Sequence, residues 1–281
     1  MAGERVVIAV HVDLSESFVD PNGSFYCGAG GEQLRNAAEL AGIADWNLYC
    51  TDLHPTTSAE FAVNSGLYPI HSVVRPLELD LSKFGLEGKT VSPALTATVL
   101  EAVDSSRTAI YVPRQVYFQE ADGSLSFAPD DVEATFGARI VSEEQFLGSD
   151  WGLVIMPKYF FDATRLTVGV DIGAGTGDPR IPAANLNVFS LIKRKHGAGA
   201  GLVFVVPSVV ENICTHHTAA GLRQDFPAAR VIIPADATMP LAGVGLGFED
   251  AEAAGAACRA LACDIGVEYL TTERIRSELA S

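Results

Sequence analysis

Arg5-Val6-Val7-Ile8-Ala9-Val10-His11-Val12-Asp13 is an apolar, β-branched run closed by an acidic residue, and its reading decides the fold. A strand with one wet face alternates apolar and polar positions, whereas a parallel strand covered on both faces is apolar almost throughout. Further runs of strand character are Asn47 to Cys50, Trp151 to Met156, Leu202 to Val206, Arg230 to Pro234 and Val267 to Thr272. Helical patterns lie among them: Glu32 to Ala44, Ala183 to Lys195, Glu211 to Gln224 and the Ala-rich Asp250 to Cys263. Pro93 to Val103 adds another, with Ser92 as its cap and proline at its first position. Thr108 to Val112, Val116 to Phe118 and Leu166 to Ile172 read as strand material, and Ala121-Asp122-Gly123-Ser124 as a hairpin turn. Strands alternating with helices predict an α/β fold, with a mostly parallel central sheet covered on both faces. Ser72 to Asp150 and Arg165 to Pro182 break the alternation. They read as elaborations of one domain spanning residues 1–281, with the main insertion at about 72–150.

The chain has 281 residues, 48% of them hydrophobic and 19% charged, a composition that supports a sizeable core and excludes a disordered or fibrous protein. Nineteen Lys and Arg against 35 Asp and Glu give a formal charge of -16. That field repels phosphate backbones and anionic bilayers, so neither nucleic acid nor membrane is an expected partner. No apolar run approaches the roughly 20 residues of a membrane span. The first residues lack a small-residue cleavage site and read as a strand, not a signal peptide. The five cysteines are odd in number and without zinc-type spacing, which points to reduced thiols and a cytoplasmic protein.

In parallel α/β sheets the reactive groups gather beyond the carboxyl ends of the strands. Asp13 ends the first strand, Asp52 and His54 follow the second, Lys158 ends the strand begun near Trp151, and Cys214 opens a helix. Singly, such residues are ordinary: an Asp there caps or turns the chain, a Lys is solvated, and a Cys in a helix is inert packing. Together they supply a nucleophile, a base and a cationic stabiliser. A helix N-terminus and a nearby ammonium both lower a thiol pKa, so the expectation is a Cys214 sulfur held ionised.

These residues occur in a pattern that resembles the isochorismatase-like cysteine hydrolases, whose best-known members are nicotinamidases. The family's first strand ends in a hydrophobic-hydrophobic-Asp-x-x-x-x-Phe segment. Here it reads His11-Val12-Asp13-Leu14-Ser15-Glu16-Ser17-Phe18, followed by Asp20-Pro21-Asn22-Gly23. Lys-x-x-Phe-Asp is matched by Lys158-Tyr159-Phe160-Phe161-Asp162, and Gly-Val-Ala-Thr-Asp-x-Cys by Ser208-Val209-Val210-Glu211-Asn212-Ile213-Cys214. Thr218-Ala219 and Asp236-Ala237 follow in the family's order. The match covers about the first 70 residues and Met156 onward, and the segment between has no recognised counterpart.

The resemblance implies a three-layer αβα fold and an amidohydrolase with Asp13, Lys158 and Cys214 as its triad. In that scheme Cys214 attacks a small carboxamide, Asp13 carries the proton to departing ammonia, and water resolves a thioester. It further implies a cis bond between Val209 and Val210, with the N–H groups of Val210 and Cys214 facing the oxyanion, and Phe18 as a pocket wall. Asp52, His54 and His71 match a ligand set for a divalent metal (zinc, iron or manganese), with no organic cofactor. On the residues alone, Asp52-Leu53-His54-Pro55 is equally a plain turn. The leading substrate is nicotinamide. Alternatives are a carbamoyl or cyclic amide, or a non-catalytic binding protein of the same fold. A homo-oligomer is expected by resemblance.

The pattern departs at Leu53, Ser72, Ser208 and Glu211, where the family commonly has Trp, Cys, Gly and Thr. Among weaker candidates, Gly173 to Gly177 reads as a flexible loop, since no Gly-Lys-Ser/Thr follows. His216 and His217 are expected to face away from the thiol, and Cys258, Cys263 and Trp151 to be packing.

Overall fold

A computed structural model describes residues 5–23, 25–52, 61–66, 68, 108–110, 117–119, 125–127, 139–140, 153–158, 161–164, 188–241 and 250–280. The readings at Pro93 to Val103, Leu166 to Ile172, Gly173 to Gly177 and Trp151 lie outside these residues, as do His54 and His71.

The first apolar run is strand β1 (Val6–Val12), and its side chains from Val7 to Val12 are buried. It lies inside a ten-stranded sheet, where neighbours on both sides and helices above and below leave no wet face. Helix α1 (Glu16–Val19) and helix α2 (Gly31–Ile43) lead to β2 (Trp46–Asp52). The next described strands are β3 (Thr108–Ile110), β4 (Tyr117–Gln119), β5 (Leu125–Phe127), β6 (Arg139–Ile140) and β7 (Leu153–Lys158). After helix α3 (Val188–His196) come β8 (Leu202–Val205) and β9 (Ser208–Val209). A π-helical turn, Glu211–Thr215, runs into α4 (His216–Asp225). β10 (Arg230–Pro234), β11 (Thr238–Met239), α5 (Ala251–Asp264), β12 (Glu268–Leu270) and α6 (Thr272–Leu279) complete the order.

The sheet order is β12-β10-β8-β1-β2-β7-β3-β6, with β9 beside β1 and β11 beside β9. Every described pairing in this sheet is parallel. β4 and β5 pair antiparallel, as the turn at Ala121 to Ser124 predicts. α2 packs on β1 and on α6, while α4 packs on β10 and α5, which gives the expected three-layer αβα arrangement. The core is one continuous cluster that includes Ile8, Val10, Leu48, Phe189, Phe204 and Ile232.

Helix α6 was not expected, because the strand reading ran on to Thr272. Its N-cap is Thr271, whose side chain accepts from the Arg274 N–H at 3.3 Å, and that signal was available in the sequence. α5 begins where the Ala-rich pattern indicated: Asp250 is its N-cap and accepts from Ala253 N–H at 2.7 Å. All five cysteines are free thiols, but Cys263 is exposed, which corrects its reading as packing. Among the described residues, no helix is long and apolar enough to cross a membrane.

Candidate active site

The candidate site lies where β1, β2 and β7 end beside the turn that follows β9. Asp13 is the first residue past β1, and its N–H donates to Cys50 O of β2 at 3.0 Å. Its φ is +56°, in the left-handed region, where Asp is tolerated better than most residues. Asp52 and Lys158 are the last residues of β2 and β7, and the parallel ladder sets them opposite each other. Register thus brings together an acid and a base that are 106 positions apart.

Lys158 is 2% exposed, yet its Nζ lies 2.8 Å from Asp52 Oδ1 and 3.1 Å from Asp13 Oδ2. The same atom lies 3.6 Å from Cys214 Sγ. Removing an ammonium from water costs several kcal/mol, and it persists only where counter-charges surround it. Two carboxylates do so here. The Asp13 carboxyl thus faces both the Lys158 ammonium and the Cys214 thiol.

Cys214 is held by a tightly fastened turn. The Val209–Val210 bond is cis, as expected. Val210 O accepts from Ile213 N at 3.0 Å, a tight three-residue spacing, and from Thr215 N at 3.2 Å, the five-residue spacing of a π turn, a form frequent at functional sites. Ser208 Oγ bonds Thr215 Oγ1 at 2.6 Å and Thr238 Oγ1 at 3.2 Å. Asn212 grips the backbone of Leu241 twice, through Nδ2 at 3.1 Å and Oδ1 at 2.8 Å. One turn beyond the thiol, Thr218 Oγ1 accepts from Ala163 N at 3.0 Å and donates to Phe161 O at 3.3 Å. Those bonds tie the loop after Lys158 to the helix after Cys214. Gly221 makes this approach possible, since a Cβ there would lie 2.3 Å from Thr164 Oγ1.

The electrostatics correct one expectation. Burial pushes the Cys214 thiol well above its usual pKa, and the charge of Asp13 adds to the rise; Lys158 opposes both without prevailing. Asp13 is pushed up to about 7, first by burial and then by Asp52, with Lys158 pulling the other way. Burial works against the Lys158 charge too, but Asp13 and Asp52 outweigh it and hold the ammonium well above its ordinary range. The resting site is therefore an ammonium beside Asp52, with a protonated thiol and an Asp13 carboxyl that exchanges its proton near neutral pH. Such groups titrate as a unit.

Phe18 is buried and begins a row of rings. Phe18 to Phe25 and Phe25 to Tyr68 are each 5.7 Å between centroids, Tyr68 to Phe161 is 6.5 Å edge-on, and Phe161 to His217 is 5.9 Å stacked. His217 thus packs on an aromatic neighbour, in keeping with its reading as a packing residue. Of the proposed metal ligands, only Asp52 falls among the described residues, and these contain no group of three or more ligand-type side chains that could hold a metal. Asp52 Oδ1 accepts from Lys158, and a carboxylate can accept at one oxygen and ligate through the other, so the contact is compatible with the expected donor set.

Sequence reasoning missed three things. It took Asp52 as a metal ligand alone, not as a partner of Lys158. It passed over His11, two residues before Asp13, whose ring is fully buried and stacks 4.3 Å from Tyr49. His11 Nε2 lies 2.9 Å from Asn47 Oδ1, while Asn47 Nδ2 donates to Ala41 O at 3.1 Å. Burial lowers His11 to about 4, with the Asn47 bond opposing, so the ring is neutral. It took Glu211 only as a departure from the family pattern, not as a buried carboxylate in the turn that carries Cys214.

No family model matches the chain, and no curated protein matches it in sequence. Solved structures do match. The PnC1 protein from L. infantum, in complex with nicotinate, aligns over 96% of this chain and 94% of its own, with a TM-score of 0.54 at 15% identity. A cysteine hydrolase from Pseudomonas syringae pv. phaseolicola 1448A aligns over 100% and 99%, with a TM-score of 0.52 at 13% identity. At these identities the likeness is one of backbone. The chain has the fold of these proteins, the αβα architecture that the resemblance to isochorismatase-like hydrolases implies.

Proposed function

We propose that the protein is an amidohydrolase of the isochorismatase-like cysteine hydrolase family that releases ammonia from a small carboxamide. The observation that carries this reading is the meeting, at one buried ammonium, of Asp13, Asp52 and the Cys214 thiol. Asp13 takes the thiol proton as the sulfur attacks the carbonyl carbon, and then gives it to the departing nitrogen. That leaves a thioester and free ammonia. Water, deprotonated by Asp13, attacks the thioester, and the carboxylic acid leaves as the thiol regains its proton. Lys158 keeps Asp13 oriented and stabilises the thiolate in passing, which suits a thiol that is neutral at rest. We assign the backbone N–H groups of Val210 and Cys214 to the developing oxyanion, where each such donor contributes roughly 3 kcal/mol.

In this reading Phe18, whose ring packs tilted against Phe25, is the aromatic wall of the pocket, and nicotinamide is the leading substrate. Asp52, His54 and His71 would hold a divalent metal. When bound, it supplies a Lewis-acidic point for a heteroaromatic nitrogen. A homo-oligomer in the cytoplasm belongs to the same reading.

Ammonia release from nicotinamide, and from a panel of carbamoyl and cyclic amides, is measured for wild type and Cys214→Ala. Release by wild type alone supports the assignment, and the preferred amide names the substrate. If wild type cleaves no amide, and iodoacetamide labels Cys214 no faster than the exposed Cys263 at any pH, the protein is a binding member of the fold.

A further inference from the structure

Glu211 lies three residues before Cys214, opens the π turn, and is 1% exposed. From helix α5, Arg259 Nη1 reaches both of its oxygens, at 3.1 and 3.4 Å. Tyr269 of β12 adjoins the same carboxylate. Helix α5 is shaped around the pair: a Cβ on Gly255 would lie 3.1 Å from Arg259 Nη1 and 3.2 Å from Glu211 Oε2. Arg259 is 38% exposed, so one end of the pair meets solvent while the other is enclosed under the nucleophile turn. A buried ion pair is a poor route to stability, because an apolar pair of equal volume does as well or better. What such a pair supplies is a fixed distance and direction.

We propose that Glu211 and Arg259 are a positioning pair that sets the pitch of the π turn, and through it the place of Cys214 Sγ against Lys158 and Asp13. The inference rests on the reading of Cys214 as nucleophile. Asn212 and Ser208 fasten the turn to the segments around β11, whereas Glu211 fastens it to α5. Neither oxygen of Glu211 enters the chemistry. Its effect is geometric, and a shift of the sulfur by about 1 Å is enough to lower the rate on the order of 100-fold.

The test uses the full chain and two readouts: the rate of Cys214 alkylation by iodoacetamide, followed by mass spectrometry of its peptide, and kcat and KM for the best amide of the panel. Glu211→Ala and Arg259→Ala are expected to slow both alkylation and kcat about 10- to 100-fold with KM unchanged, and the double variant to fall no further than the worse single one. Glu211→Gln keeps an acceptor for Arg259 and recovers most of the rate, so the proposal stays testable if Glu211→Ala does not fold. Glu268→Ala breaks the Arg230–Glu268 pair (2.6 Å) on the edge strand and serves as control, with alkylation unchanged. Wild-type alkylation and kcat in Arg259→Ala, below its melting temperature, would show a merely structural pair and overturn the inference, whether or not Glu211→Ala folds. Alkylation reads sulfur placement whether or not an amide is turned over. Hence a failed amidase assay with an intact alkylation difference rejects the functional reading and not this one.

Discussion

Lys158 Nζ lies closer to Asp52, at 2.8 Å, than to Asp13, at 3.1 Å. The residue that the sequence marks as a metal ligand is thus also the nearer counter-charge of the site's ammonium. Two roles on one carboxylate are separable by experiment. His54→Ala and His71→Ala are expected to weaken divalent-metal binding by 10- to 100-fold or more while leaving Cys214 alkylation at its wild-type rate. Asp52→Asn is expected to lower both. Metal analysis and peptide mass spectrometry on the same samples check this, and an Asp52→Asn protein with wild-type alkylation would remove Asp52 from the support of Lys158.

The elevated carboxyl of Asp13 sets a pH profile. A base must be ionised to act, so kcat/KM is expected to rise with pH through an apparent value of about 7. Because carboxyl and thiol share their protons, that midpoint belongs to the pair. Steady-state rates from pH 5 to 9 measure it. A flat profile over that range removes Asp13 as the base.

Lys158 offers a stability prediction with a sign. Replacing it by Met leaves two buried carboxylates facing each other, a loss of about 3–5 kcal/mol at pH 8 by analogy with broken buried pairs. Lower pH protonates carboxylates and relieves the repulsion, so the deficit is expected to shrink by pH 5. Urea unfolding at the two pH values tests the trend. An equal deficit at both would mean that packing, not charge, is what Lys158 contributes.

His11 contributes the opposite pH dependence. Its folded pKa of about 4 lies below the ordinary 6.5, so the unfolded chain binds the proton first as pH falls. The stability linked to this ring is complete above pH 6.5 and is lost between 6.5 and about 4, up to about 3 kcal/mol. His11→Gln is expected to lose less stability than wild type across that window. Parallel curves would mean the ring is protonated or hydrated in the native state.

Asp13, Lys158 and Cys214 were legible because each stands at a place that local pattern reveals: the end of an apolar run, or the start of a helix. The Asp52–Lys158 contact was not, since it depends on which strands become neighbours and in what register. The direction of the Cys214 shift was misjudged for a related reason. A sequence displays a helix start, but not that the thiol is enclosed beside a carboxylate. Cys263 was misplaced by a simpler oversight: five residues after Cys258, it lies about 140° around the helix, on the other side. Helix α6 escaped because the last strand was read up to Thr272, although Thr271 is a clear cap.

The ladder between β2 and β7 has a practical consequence. Acid and ammonium are aligned by backbone pairing, not by the long stretch of chain that joins them. The alignment of the two charges is thus written into the register of two neighbouring strands, and β3, which the intervening stretch lays along the far side of β7, braces that register from the other flank.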